Sequence, residues 1–255
     1  MSDSRIHHRR FFVPAACIRD GWVEFEPAQA HQLARVLRLH TGDQVSVFDG
    51  TGREVVAALE RTAPRRATAR ILREVEAQAG IGLAITLAQV VPRGAAMDLI
   101  LVKATELGVA RLIPLTAEQS VRKAFPQSPR WVRIVREAAE QCGRRDLPDI
   151  APIVSLAEFL RGFPSGMPFL ACHPGEGARP LTAVCRELGQ PPALTLLVGG
   201  EGGFSPGEIE ALRSSGARLA LLGPRLLRAE TAALAALAIL QACLGDLAVP
   251  PREPA

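Results

Sequence analysis

A chain of 255 residues suffices for one large domain or two ordinary ones, and 48% hydrophobic residues allow a substantial core, which excludes wholesale disorder. The formal net charge of +4, carried almost wholly by arginine, permits an anionic partner without demanding one, and arginine suits bidentate phosphate or carboxylate contacts. The cysteines Cys17, Cys142, Cys172, Cys185 and Cys243 are odd in number, widely spaced and without a CxxC, which disfavours a disulfide framework or a zinc site.

The opening MSDSRIHHRRFF is charged and lacks the apolar stretch of a signal peptide. No apolar run approaches membrane-spanning length; the longest, AALAALAILQACL, reads as an Ala-rich core helix. A cytoplasmic protein without a membrane partner is expected. In the same opening, Arg9 and Arg10 followed by two phenylalanines could grip and stack on RNA, or the phenylalanines could alternate between core and edge of a first strand. His7 and His8 are adjacent and have no Cys or carboxylate partner near in sequence, so no metal site is expected.

Residues 1–75 carry short β signals: RRFFVP, WVEFE, QVSVFDG, REVVAAL and ATARILREV, with DGTG at 49–52 as a turn between two of them. One helix interrupts them, from Pro27 at N1 through AQAHQLARVLRL, with Leu33, Val36, Leu37 and Leu39 as a partly amphipathic stripe. This pattern predicts a small β-barrel carrying one helix. The stretch EAQAGIG, 76–82, reads as a linker.

From 83 to 248 strands and helices alternate. Strand LAITLAQVV is followed by helix GAAMDLILVKATELGV, stopping at Gly108, then strand RLIPLT and helix SPRWVRIVREAAEQCG, stopping at Gly143. Helix SLAEFLRG, strand PFLAC, helix LTAVCRELG and strand LTLLVGG continue the series. Helix SPGEIEALRSSG, strand RLALLG and a long helix from about Glu230 to Leu244 close it. The alternation predicts an α/β domain with a mostly parallel sheet.

The chemistry concentrates in LLVGGEGGFSPGEIEAL, residues 196–212. Its paired glycines match neither the G-x-G-x-x-G dinucleotide fingerprint nor a Walker A loop, which needs GK[ST]. Glu201 would repel a phosphate at the following helix N-terminus, so the loop suits a neutral or cationic ligand held by backbone groups, or a tight strand-to-helix turn alone. The stretch LLGPRLLRAETAALAAL, 221–237, sets Arg228 and Glu230 before a helix, where they serve chemistry or plain solvation and capping. In EAAEQCGRRDLPDI, 137–150, Arg144 and Arg145 stand at a helix C-terminus, which favours cations. Lys103 and Glu106 at i, i+3 read as a surface ion pair.

KATELGV, EQCGR, GGEGGF and LGPRLLRAETA, in that order behind a small β-domain, resemble the RsmE family of bacterial methyltransferases, which belong to the SPOUT superfamily and act on uridine N3 of 16S ribosomal RNA. The resemblance covers about residues 8–247; one departure is Ala229, where the family's LRTETA has Thr. It implies a PUA-like RNA-binding domain, a SPOUT α/β domain with a deep trefoil knot, a homodimer, and S-adenosylmethionine as cofactor, bound at the ends of strands 168–173, 196–203 and 219–227. The implied cofactor residues are Leu170, His173, Gly199, Gly200, Glu201, Gly203, Leu222, Gly223, Leu226 and Leu227. Glycines let backbone approach a nucleoside, and Glu201 is tolerable beside a sulfonium, whether it faces that charge, a backbone N–H or solvent. Arg144 and Arg228 are the candidates for stabilising negative charge on the uracil, with Glu230 accepting a proton or orienting Arg228. Arg9, Arg10 and Arg145 are the candidate RNA contacts, the partner being 16S ribosomal RNA or the small ribosomal subunit. The rivals are a SPOUT enzyme methylating another RNA position, such as a ribose 2′-O, and a non-catalytic ribosome-assembly factor.

Overall fold

The structure, a computed structural model of the chain, describes residues 9–76, 82–120 and 128–247. The chain divides into two compact units, Met1–Ala79 with Arg136–Leu147, and Gly80–Val135 with Pro148–Ala255. The linker expected at 76–82 lies, at 77–81, outside the described residues, as do His7 and His8.

The first unit contains β1 (Arg10–Phe12), β2 (Ile18–Arg19), β3 (Trp22–Phe25), β4 (Gln44–Phe48), β5 (Glu54–Ala63) and β6 (Arg66–Glu74). They form one sheet in the order β1-β4-β5-β6-β3-β2, with β1 parallel to β4 and the other pairs antiparallel. Alternation puts Val45, Val47, Val55, Ala57, Leu59, Ala67 and Ala69 on one inner face, all buried. Burying each of the larger ones contributes about 1.5–3 kcal/mol. The rings of Phe11 and Phe25 meet edge-on at 5.9 Å although β1 and β3 lie near opposite ends of the sheet. The sheet is therefore rolled, and side chains close the barrel there.

The helix begins as expected: α1 (Pro27–His31) has Pro at N1 and a capping box between Glu26 and Gln29. It then widens into a π-helical turn over Gln32–Val36. That turn changes the phase of the stripe, so Leu33 and Leu39 are buried while Val36 is 66% and Leu37 37% exposed.

The second unit contains β7 (Ala84–Val90), α2 (Ala96–Glu106), β8 (Arg111–Thr116), α3 (Pro129–Cys142), β9 (Asp149–Ile150), β10 (Val154–Ser155) and α4 (Leu156–Arg161). Then come β11 (Phe169–Cys172), β12 (Arg179–Pro180), α5 (Leu181–Leu188), β13 (Ala193–Val198), α6 (Pro206–Ser214), β14 (Arg218–Leu221) and α7 (Ala229–Leu244). Every strand pair is parallel, in the order β10-β8-β7-β13-β11-β14-β12 with β9 beside β8. In β13 every residue after Ala193 is buried, as a strand covered on both faces requires. Ser155 and Ser205 start α4 and α6 with capping boxes to Glu158 and Glu208. The alanines of α7 let it pack against α2 and α5, and Gln241 Nε2 donates to the Leu107 carbonyl at 2.7 Å, closing the end of α2. The strand β11 lies between β13 and β14, so three loops leave the C-terminal ends of neighbouring strands side by side. In open parallel sheets that edge is where ligands bind.

Helix α3 is divided. Its first half belongs to the second unit; its second half, with the turn to Leu147, belongs to the barrel unit. Ala139 and Leu147 pack with Phe12 and Phe48, and Glu140 Oε1 accepts the Phe12 N–H at 2.8 Å. The Arg136 guanidinium lies 4.6 Å from the centre of the Phe12 ring. Burial, opposed by the Phe12 hydrogen bond, raises the Glu140 carboxyl above its ordinary value. Among the described residues no helix is long and apolar enough to cross a membrane, and no three His, Cys, Asp or Glu side chains group as metal ligands do.

Candidate active site

The loops after β11, β13 and β14 enclose a cavity of about 280 Å³, near the roughly 300 Å³ lower bound of small-molecule sites. The first loop supplies Cys172, His173 and Pro174; the second Gly199, Gly200, Glu201, Gly203 and Phe204. The third supplies Leu222, Gly223, Leu226, Leu227, Arg228 and Ala229. Leu170 is not among them: it is fully buried inside β11, ahead of the loop. Leu226 stands at the rim and is 88% exposed, so it is no inner wall. Burial pushes the Cys172 thiol up to about 12, making it a neutral wall group. Burial, and then the positive charge of Arg213, holds His173 below its ordinary pKa, so the ring is neutral at pH 7.

The glycine loop is built largely by its own packing. Gly203 has φ +66° and donates its N–H to the Gly200 carbonyl at 3.1 Å. A Cβ on Gly202 would come 2.7 Å from the Cβ of Gln119, so this glycine answers to a protein neighbour. Gly200 and Gly203 pair across a short antiparallel bridge that closes the loop, and the backbone of Gly199, Gly200 and Gly203 lines the cavity. Glu201 takes the backbone option: its Oε1 accepts the Arg93 N–H at 2.8 Å and ties the loop to the turn after β7.

A second tie was not read from the sequence. Gln89, fully buried in β7, donates from Nε2 to the carbonyls of Val90 at 2.9 Å, Gly199 at 3.3 Å and Val198 at 3.4 Å. Its signal is a lone amide inside the apolar run LAITLAQVV.

Arg228 is the N-cap of α7, with its backbone carbonyl accepting from Ala232 at 2.8 Å and its side chain exposed. Glu230 lies in the first turn, where a carboxylate complements the helix dipole, and no ion pair joins it to Arg228 among the described residues. In the barrel unit, Arg144 grips Asp146 with two hydrogen bonds of 3.0 and 2.7 Å. Burial opposes ionisation of Asp146, but the hydrogen bond and charge of Arg144 outweigh it and keep the carboxyl below its ordinary value.

The candidate RNA contacts fare differently. Arg9 is partly exposed, 3.7 Å from Asp43. Arg145 is mostly covered, with Nε 2.6 Å from Glu54 Oε2 and a hydrogen bond to the Glu76 carbonyl. Arg10 is only 6% exposed. Its Nε binds Glu54 Oε1 at 2.9 Å, and its remaining donors reach the carbonyls of Ala139 at 3.1 Å and Arg144 at 3.3 Å. The expectation that Arg10 touches RNA is therefore corrected: a buried guanidinium with its donors engaged is a structural strut that holds the backbone at Arg144. Burial alone would raise the Glu54 carboxyl, but hydrogen bonds from Arg10 and Ser46 and the charges of Arg10 and Arg145 hold it below its ordinary value.

A parallel sheet with an apolar, glycine-walled cavity at its carboxyl edge, following a small rolled β-sheet in chain order, is the arrangement of an RNA methyltransferase with a PUA domain. Residues 81–241 match the RNA methyltransferase domain family and residues 25–72 the RNA methyltransferase PUA domain family. Ribosomal RNA small subunit methyltransferase E of Synechocystis is 35% identical over 95% of this chain and 80% of its own length. The Neisseria gonorrhoeae ribosomal RNA small subunit methyltransferase E, solved bound to S-adenosyl methionine, is 32% identical, with a TM-score of 0.83 over 94% of this chain and 99% of that one. A putative methyltransferase from Legionella pneumophila, solved with bound SAM, is 33% identical, with a TM-score of 0.81 over 93% and 98%. The chain belongs to the ribosomal RNA small subunit methyltransferase E (RsmE) family.

Proposed function

We propose that this chain transfers a methyl group from S-adenosylmethionine to N3 of a uridine in 16S ribosomal RNA, in the cytoplasm and as a homodimer. The observation that carries the reading is a mostly apolar cavity at the carboxyl edge of the sheet, walled by the bare backbone of Gly199, Gly200 and Gly203. Such a slot suits a nucleoside lacking phosphate. His173 is held neutral and Glu201 is turned to Arg93, so the cations left at the cavity are Arg225 and Arg228 on the third loop, both exposed to solvent. Exposed Leu226 at the rim favours a second copy over it. The trefoil knot implied by the family belongs to the same proposal.

S-adenosylmethionine supplies an electrophilic methyl group on a positively charged sulfur. The residues' task is at the base. As the N3 proton passes to its acceptor, negative charge would spread over O2, N3 and O4, and N3 would take the methyl as the methyl–sulfur bond breaks, leaving a neutral thioether. Arg228, at the cavity, and Arg144, clamped by Asp146, are proposed to hold that charge through planar, always-protonated donors. Glu230 is the proposed proton acceptor, and Arg9 and Arg145 the proposed phosphate contacts.

The test is nucleoside mass spectrometry of 16S RNA or small subunits after incubation with S-adenosylmethionine. The expected product is 3-methyluridine; a methyl on ribose would sink the reading. Arg228→Ala and Arg144→Ala should each cut turnover by about 100-fold or more, with cofactor binding nearly intact by calorimetry.

A further inference from the structure

We propose that Gln89 is a positioning residue for cofactor binding: its buried amide orients the Gly199 and Gly200 peptide groups that face the cofactor. This rests on the S-adenosylmethionine reading of the cavity.

Gln89 pairs with Val198, the last residue of β13, so it stands where the ladder stops. Beyond that point buried carbonyls need another donor, and Nε2 meets three of them. The opposite amide orientation would set an oxygen against three carbonyl oxygens, so the nitrogen's place is fixed. In a trans peptide the C=O and the following N–H point in opposite directions. Drawing the Val198 and Gly199 carbonyls toward Gln89 therefore turns the N–H groups of Gly199 and Gly200 away from it. Gly200 then pairs with Gly203 in the bridge that closes the loop, so the brace sets the shape of the glycine backbone that lines the cavity. Glycine has no side chain to restrict its own peptide plane, so an external brace is needed. Gln89 does not line the cavity, so it acts through backbone and not by touching the ligand.

A second observation separates this role from packing. Gln89 Oε1 is buried with no hydrogen-bond partner among the described residues. Ile85 and Leu87, on the same face of β7, are fully buried and apolar. An orphaned acceptor weakens the fold, so for stability alone an apolar residue would serve better here. An amide that stays despite that penalty, and whose donors span the end of β7, the end of β13 and the first residue of the glycine loop, is kept for the loop.

The experiment uses the full chain with Gln89→Met, which keeps the length and loses the donor, and Gln89→Glu, which puts an acceptor in its place. S-adenosylmethionine affinity is measured by calorimetry, alongside the melting temperature without ligand, RNA affinity and steady-state kinetics. Gln89→Met should bind cofactor about ten-fold more weakly, Gln89→Glu more weakly still. Gln89→Met should melt at or above the wild-type temperature and bind RNA unchanged, with a raised KM for cofactor and kcat preserved. Wild-type affinity in Gln89→Met, or a loss of affinity matched by a loss of melting temperature, overturns the inference. A wild-type protein that binds no S-adenosylmethionine overturns the cavity reading along with it, whereas wild-type binding beside an unaffected Gln89→Met overturns this inference alone.

Discussion

His173 is kept uncharged by its surroundings. Burial comes first and Arg213 second, and together they lower its pKa from the ordinary 6.5. A depressed histidine favours the neutral ring in the folded protein. That contribution is complete above 6.5 and is lost as pH falls through the lowered folded value. Below it an imidazolium would stand in the cavity of a cationic cofactor. Affinity for S-adenosylmethionine should fall on acidification through this window, and His173→Asn should flatten the dependence in titrations at a series of pH values. Gly202 makes a different point. Gly202→Ala must push the Gln119 segment away, since its Cβ would come 2.7 Å from that residue's Cβ. Overpacking of this kind costs about 1–3 kcal/mol; thermal melting should register it even without ligand, separating this glycine from those that line the cavity.

At the scale of elements, the barrel and the 136–147 segment are joined by Arg10 of β1, which bonds Glu54 of β5 and the carbonyls of Ala139 and Arg144. Removing one partner of a buried pair typically costs about 3–5 kcal/mol. Glu54 keeps Ser46 and Arg145, so Arg10→Met should lose about 3 kcal/mol by urea denaturation. The Glu54 carboxyl sits below its ordinary 4.5, so its contribution is complete above 4.5 and lost as pH falls through the lowered value. The urea midpoint should drop over that acidic range. Much of this level was legible in the chain. Period-2 runs marked β1, β3, β4, β5 and β6, while Ser155, Ser205, Gly108 and Gly143 marked helix starts and stops. The strands β2, β9, β10 and β12 were not legible, because two residues cannot display an alternation. The π-helical turn was missed because it changes the phase that periodicity measures. GGEGG and LRAET announced the cavity walls. Gln89 and Arg10 were hidden, since their partners lie 110 and 134 residues away and no local pattern encodes such a contact.

For the whole molecule, the division of α3 matters most. A fragment cut within 76–82 and beginning at 83 would keep the second half of α3 but lose Phe12 and Phe48, against which Ala139 and Leu147 pack. Hydrogen exchange on that fragment should show lost protection across 136–147 while β7 and β13 stay protected. With the full chain, the KM for RNA should rise steeply with salt, as arginine–phosphate contacts release counterions, while the KM for cofactor barely moves. A flat RNA response would count against the proposed substrate.

The cavity also fixes a moment in the protein's life. Its walls come from residues within 172–174, 198–204 and 220–232, so the third wall is made well after the barrel strands. A chain growing on the ribosome can roll its barrel strands long before the third wall emerges. Until α7 is released, the nascent protein has nowhere to hold a methyl donor. A message broken before the LRAET codons would yield a chain with the barrel strands but without the third wall of the cavity.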